Sequence, residues 1–149
     1  MTAADASALP LPGRDGFAGA FYEACRSGEL RFQRCSACGA WRHVPRALCA
    51  ACGSPAFTWT PSSGRGRVFT YTIVTRAMHP GFAARVPYAP AVIELEEGVR
   101  ILSEVVDCPV EELRIDLPVV VVFQEVAEGV TLPKFRRAVP AGAGREAGG

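Results

Sequence analysis

Hydrophobic residues recur with helical spacing in one stretch near the start of the chain and elsewhere gather into short β-branched and aromatic runs. Phe17, Phe21, Ala24 and Cys25 form an i, i+4, i+7, i+8 stripe, which predicts an amphipathic helix over 15–28. Asp15 is placed to accept from the free N–H groups of the first turn, and Gly28 suits the left-handed residue after the last. A helix this short needs a docking surface, on its own domain or on a partner. Residues 29–34, 66–76, 91–96, 99–106, 119–126 and 130–135 read as strands. Pro80, Gly81, Pro87 and Pro90 predict a long irregular loop over 78–90. Glu97-Gly98 marks a hairpin, and Glu128-Gly129 separates the last two strands. Residues 109–113 read as one helical turn, with Pro109 at its start and Glu111 and Glu112 near its positive end. After a turn or linker at 61–64, the order is β-β-β-α-β-β. That is the order of the OB-fold, a five-stranded Greek-key barrel with a helix between its third and fourth strands.

Between the first strand and that barrel lies R-C-S-A-C-G-A-W-R-H-V-P-R-A-L-C-A-A-C-G (34–53). Two C-x-x-C pairs, Cys35/Cys38 and Cys49/Cys52, stand ten residues apart, each followed by a glycine. A zinc knuckle turns its backbone so that N–H groups point at thiolate sulfurs, and glycine reaches those dihedrals without steric cost. Ten residues allow a short strand and a return, bringing the second pair opposite the first. The pattern predicts structural zinc; iron in the same tetrahedral sulfur set is the alternative, and disulfides or a thioredoxin-like motif fit less well. Four thiolates leave no open position, so such a metal is architectural and not hydrolytic. His43 reads as an ordinary exposed histidine, and Cys25 and Cys108 as small buried apolar residues.

Composition narrows the class. Forty-nine per cent of the 149 residues are hydrophobic and 21% charged, the balance of a globular protein. No apolar run approaches a membrane span and no leader is readable at the N-terminus, which together predict a cytoplasmic protein. The net charge of +1 hides a split. Up to residue 90 there are ten arginines against four acids, and beyond it six basic residues against eleven acids. The expected organisation is a disordered N-terminus (1–14), a docking helix (15–28), a rubredoxin-like zinc ribbon (29–60), an OB-fold (61–138) and a disordered tail (139–149). The fold class is mainly β.

A helix, a C-x2-C-x10-C-x2-C ribbon and an OB barrel in that order resemble the zinc-ribbon OB-fold family formerly known as domain of unknown function 35 (DUF35). The resemblance covers 21–137 and rests on Q-R-C-S-A-C-G (33–39), P-R-A-L-C-A-A-C-G (45–53), S-G-R-G-R-V-F-T-Y-T (63–72), H-P-G-F…V-P-Y (79–88), L-E-E-G-V-R-I-L-S (95–103) and T-L-P-K-F-R (131–136). One departure is Asp116, where a glycine is expected in the turn before the fourth barrel strand. The resemblance implies a non-catalytic subunit of a thiolase-superfamily acyl-CoA enzyme (thiolase, acyltransferase or aldolase). Such a subunit tethers its partner and helps to bind or channel the CoA thioester. Some relatives add a hot-dog-fold hydratase domain, for which this chain is too short.

Within that picture the residues take provisional roles. Arg42 and Arg46, among the arginines around the ribbon, suit CoA phosphates, since guanidinium forks match phosphate oxygens. Phe82 and Tyr88 are natural anchors in the long loop, for a partner or an acyl chain. Lys134, Phe135 and Arg136 form a further cluster at the end of the barrel expected near the acyl-CoA channel. Phe17 and Phe21 are the candidate partner contacts if the helix docks outward. No nucleophile stands beside a base in sequence, so no catalytic residue is expected. The rival reading is a nucleic-acid-binding module. Its second and third barrel strands, A-V-I-E-L-E-E and V-R-I-L-S-E-V-V, argue against it, with four glutamates, one arginine and no aromatic stacking platform.

Overall fold

A computed structural model describes residues 8–139. Helix α1 (Gly16–Arg26) is followed by a three-stranded antiparallel sheet of β1 (Arg31–Cys35), β2 (Trp41–Arg42) and β3 (Phe57–Pro61), in the order β2-β1-β3. A second sheet holds β4 (Arg65–Tyr71), β5 (Pro90–Leu95), β6 (Arg100–Glu104), β7 (Pro118–Ala127) and β8 (Val130–Arg137), in the order β6-β5-β4-β7-β8. Its outer strands meet. Val105 bridges Phe135 in parallel, and the Val106 N–H donates to the Phe135 carbonyl at 2.7 Å. That closure, with a single 3-10 turn at Val110–Glu112 between β6 and β7, makes the sheet the expected OB barrel.

Period-two patterning decides which side chains fill the barrel. On β5, Ala91, Ile93 and Leu95 are buried, and on β8 Phe135 is fully buried between the outward positions Lys134 and Arg136. The Gly66 backbone lies so close to β5 that a Cβ there would sit 2.4 Å from the Glu94 carbonyl oxygen. The expected strand 66–76 ends at Tyr71. A bulge between Val68 and Thr70 turns it, and Val74 rejoins only through a bridge to Tyr88. Asp116 has φ 66°, the left-handed conformation that glycine otherwise supplies and that Asp tolerates better than most residues. It also accepts from Arg67 at 2.8 Å, a contact no glycine can make.

Ribbon and barrel share one core. Phe21 and Cys25 of α1 and Leu30 and Phe32 of the ribbon segment pack with Val68, Ile93, Ile101, Val119 and Phe135 of the barrel. The 61–64 segment is a fastened corner and not a loose linker. Glu97 accepts from the Ser62 hydroxyl at 2.8 Å and from the Ser63 N–H at 2.6 Å. Asp15 stands at the start of α1, but its side chain makes no capping bond there, contrary to expectation. Of the two ends expected to be disordered, 1–7 and 140–149 lie outside the described residues. Residues 8–14 run along the barrel, where Arg14 donates to the Glu128 carbonyl at 3.0 Å.

Candidate metal centre and adjoining trough

The two C-x-x-C pairs fold as matched knuckles. Cys35 N–H donates to the Ala40 carbonyl and Gly39 N–H to the Cys35 carbonyl, at 2.8 and 2.9 Å. Cys49 to Ser54 and Gly53 to Cys49 repeat the pattern at 2.9 and 2.8 Å. Gly39 and Gly53 have φ of 79° and 75°, the reason each pair is followed by glycine. All four Sγ atoms lie within 4.8 Å of one another, and Cys35–Cys52 and Cys38–Cys49 are each 3.6 Å apart. A disulfide needs about 2.05 Å. Four sulfurs about 2.3 Å from one tetrahedral ion stand about 3.8 Å apart, so the donor set fits a metal. The N–H groups of Cys38 and Ala37 hold the Cys35 thiol down to about 6, and those of Cys52 and Ala51 lower Cys49. Both shifts favour thiolates, the form a metal takes, whereas at Cys38 the Ala40 N–H is outweighed by hydrogen bonds with Cys49 and Cys52, which push the thiol up to about 11.

Beside this centre the two sheets leave a cleft of about 380 Å³ between the ribbon and the β5–β6 turn. Arg42, His43, Arg46, Cys49 and Arg100 line it. Arg42 is buried, with donors already committed to the Arg46 and Ala56 carbonyls at 3.1 and 3.3 Å, so it holds the ribbon loop together. The Arg46 backbone is held by the buried Gln33 amide, at 2.7 and 3.0 Å, while its exposed side chain has no ion-pair partner among the described residues. His43 is not the exposed histidine expected. Its ring lies 4.9 Å from Phe21 and 5.2 Å from Phe32, and burial lowers its pKa to about 4. Its Nδ1 is buried without a partner among the described residues.

His43 also borders a smaller cleft of about 120 Å³, walled by Phe21, Ile101, Leu102 and Lys134. Leu102 and Lys134 border in turn a third, of about 300 Å³, containing Phe82, Tyr88, Arg85 and Glu104. These neighbouring clefts share walls and follow β6 from Arg100 to Glu104. Phe82 and Tyr88 stack at 5.1 Å and 24° in the third cleft, so loop and strand residues far apart in sequence meet there. Lys134 Nζ donates to Glu104 Oε1 at 2.7 Å, and Arg85 donates to the same oxygen at 2.9 Å. Burial pushes the Glu104 pKa up, but Lys134 and Arg85 outweigh it and hold the carboxyl below the ordinary range. Sequence reasoning missed Glu104 and Arg85. Their only signal was an acid on a barrel strand and a base in the loop that crosses it.

The remaining candidates separate. Phe135 is fully buried in the barrel core and cannot touch a ligand, because its neighbours Lys134 and Arg136 take the outer face. Phe21 is 2% exposed and faces the protein's own core. Phe17 remains 40% exposed, edge-on to Phe57 at 5.5 Å. Cys25 is fully buried, which raises its thiol to about 12, and Cys108 is partly buried against the core. A wider cleft of about 560 Å³ crosses β4, β5 and β7. Its cations are already matched, Arg65 to Glu96 at 3.0 Å and Arg67 to Glu94 and Asp116 at 2.8 Å. No helix among the described residues is long and apolar enough to cross a membrane.

Comparison with known proteins agrees with this architecture. Residues 23–58 match the family model described as ChsH2, rubredoxin-like zinc ribbon domain, and 59–124 match ChsH2, C-terminal OB-fold domain. The chain is 38% identical over 96 residues to a DUF35 domain-containing scaffold protein of Methanocaldococcus jannaschii, covering 64% of this chain and 67% of that protein. It is 37% identical over 120 residues to a probable enoyl-CoA hydratase alpha subunit of Thermomonospora curvata, covering 80% of this chain. That match spans only 37% of the hydratase subunit's own length. A solved structure described as Ltp2-ChsH2(DUF35) aldolase superposes with a TM-score of 0.77 at 35% identity, covering 88% of this chain and all of that one.

Proposed function

From a chain that belongs to the DUF35 family of zinc-ribbon and OB-fold proteins, we propose a non-catalytic accessory subunit of a thiolase-superfamily acyl-CoA enzyme, one that helps to hold the CoA thioester. The observation that carries the reading is the trough along β6. One end has the exposed Arg46, with Arg100 beside it already paired to Glu94 at 2.9 Å, and the other has the Phe82–Tyr88 stack and Leu102. Arginines suit the phosphates and the apolar end suits the acyl group. The aldolase description of a structural relative and the enoyl-CoA hydratase description of a sequence relative support an acyl-CoA setting and a hetero-oligomeric partner. Neither names the partner of this chain.

The proposed metal is zinc, held by Cys35, Cys38, Cys49 and Cys52. It would tie the two knuckles together and leave no ligand position for chemistry. The non-catalytic role is part of the proposal and follows from the family resemblance. Cys25 is sealed in the core, and the ring of His43 packs against Phe21 and that of His79 against Phe82. The proposed compartment is the cytoplasm, where thiols stay reduced. The test is an NMR titration of the zinc-loaded chain with CoA. Shifts at Arg46, Arg100 and the neighbouring ribbon backbone, weakened by Arg46→Ala, are expected. Binding confined to other faces would remove the reading.

A further inference from the structure

The third cleft carries more charge than its own partners use. Arg85, Lys134 and Glu104 are the charged residues lining it, so it holds two cations against one anion. Both cations donate to the same Glu104 oxygen, Oε1. Among the described residues, Lys134 Nζ has no second hydrogen-bond partner, and Arg85 uses one of its three nitrogens. Lys134 and Glu104 have side chains only 13% and 16% exposed and Arg85 37%, so the cluster is weakly screened by water at its Lys134 end and open to it at Arg85. Around it the walls are mostly apolar: the stacked Phe82 and Tyr88, with Leu102, Leu132 and the chain's own Leu9 and Leu11. Leu102 is 70% exposed on β6, an apolar side chain left uncovered by the described residues.

An apolar slot ending in unspent, half-buried donors recognises a particular chemistry. A plain hydrocarbon fills the walls but leaves the donors as they were. A polyanion such as phosphate brings two charges to a net charge of one and leaves the walls empty. An apolar body ending in a single carboxylate satisfies both.

Resting on the thioester-binding reading above, we infer that this cleft selects acyl groups with a carboxylate at their far end. Arg85 and Lys134 act as the specificity-determining donors, and Glu104 sets their excess charge to one. The carboxylate accepts from Lys134 Nζ and the free Arg85 nitrogens while its carbon chain lies against Phe82, Tyr88 and Leu102. No bond is made or broken.

The test compares three ligands on the full zinc-loaded chain by calorimetry and backbone NMR: CoA, hexanoyl-CoA and adipoyl-CoA. The last two differ only in the terminal carboxylate. Adipoyl-CoA is expected to bind about tenfold more tightly than hexanoyl-CoA, the scale of one charge-assisted hydrogen bond, with shifts at Arg85, Tyr88 and Lys134. Glu104→Gln raises the cleft's net charge and is expected to tighten adipoyl-CoA while leaving hexanoyl-CoA unchanged. A purely structural Glu104 would not produce that change. The triple variant Arg85→Gln/Glu104→Gln/Lys134→Met removes the whole charged cluster together and is expected to abolish the preference. Equal binding of both thioesters, with shifts confined to the Arg46 end, overturns the carboxylate inference and leaves the accessory reading standing. No binding of CoA or of either thioester removes both.

Discussion

The rings of Phe21 and His43 lie 4.9 Å apart, joining the helix to the ribbon loop over a core that the barrel completes. This contact explains why the helix docks inward. Phe21→Ala is expected to destabilise the chain by about 3–5 kcal/mol, the cost of emptying a buried aromatic site. Phe17→Ala, at a half-exposed position, is expected to cost under about 1 kcal/mol. Urea unfolding of the two variants checks the contrast.

His43 gives the fold an acid sensitivity of known sign. Burial lowers its pKa from 6.5 to about 4, so the folded state resists a proton that the unfolded chain accepts. Its share of stability is intact above pH 6.5 and is lost as pH falls from there to about 4, by up to roughly 3 kcal/mol. His43→Phe, compared with the parent chain by denaturant titration across that window, is expected to show the shallower decline. Parallel declines would contradict the assignment, and loss of metal in acid affects both proteins alike.

Gln33 is fully buried and brackets the Arg46 backbone with both ends of its amide. Gln33→Leu leaves the Arg46 N–H without its partner and the Arg46 carbonyl with the Arg42 donor alone. A cost of about 1–3 kcal/mol is expected, read from the urea midpoint. Substitution at Gly66 meets a different obstacle, since the added Cβ would press on the Glu94 carbonyl. Gly66→Ala is expected to cost about 1–3 kcal/mol and to loosen β4–β5 pairing, seen as faster amide exchange at Arg67 and Glu94, which pair across it.

The metal assignment has a direct readout. The purified chain is expected to carry one zinc per molecule by elemental analysis and to be colourless. Cys38→Ser is expected to lose that stoichiometry and to unfold the ribbon. A red protein with iron would contradict the zinc assignment while keeping the ligand set.

The parts of the fold that were legible in the sequence are those where local chemistry decides. Gly39 and Gly53 after their cysteines mark the knuckles, Gly98 and Gly129 mark the turns, and alternation on β5 and β8 marks the barrel faces. What stayed hidden depends on long-range geometry. Alternation sets Phe135 on the face opposite Lys134 and Arg136, but which side of β8 faces inward is visible only once Val105 bridges it. Arg42 reads in sequence as a free cation and becomes a structural brace because the Arg46 and Ala56 carbonyls converge on it. Arg85 and Glu104, nineteen residues apart, meet only because the 72–89 loop folds back over β6. Asp116 looked like a departure in a turn and proves to hold the glycine conformation while pairing with Arg67.

The measurement that bears most directly on the accessory role is affinity purification of the tagged chain from its native host, with the accompanying proteins identified and their stoichiometry measured. A thiolase-fold protein in stoichiometric yield, with acyl-CoA activity present in the complex and absent from the isolated chain, is the expected result. Nucleic acid or ribosomal proteins in its place, released as salt is raised, would contradict it and return the chain to the nucleic-acid-binding class.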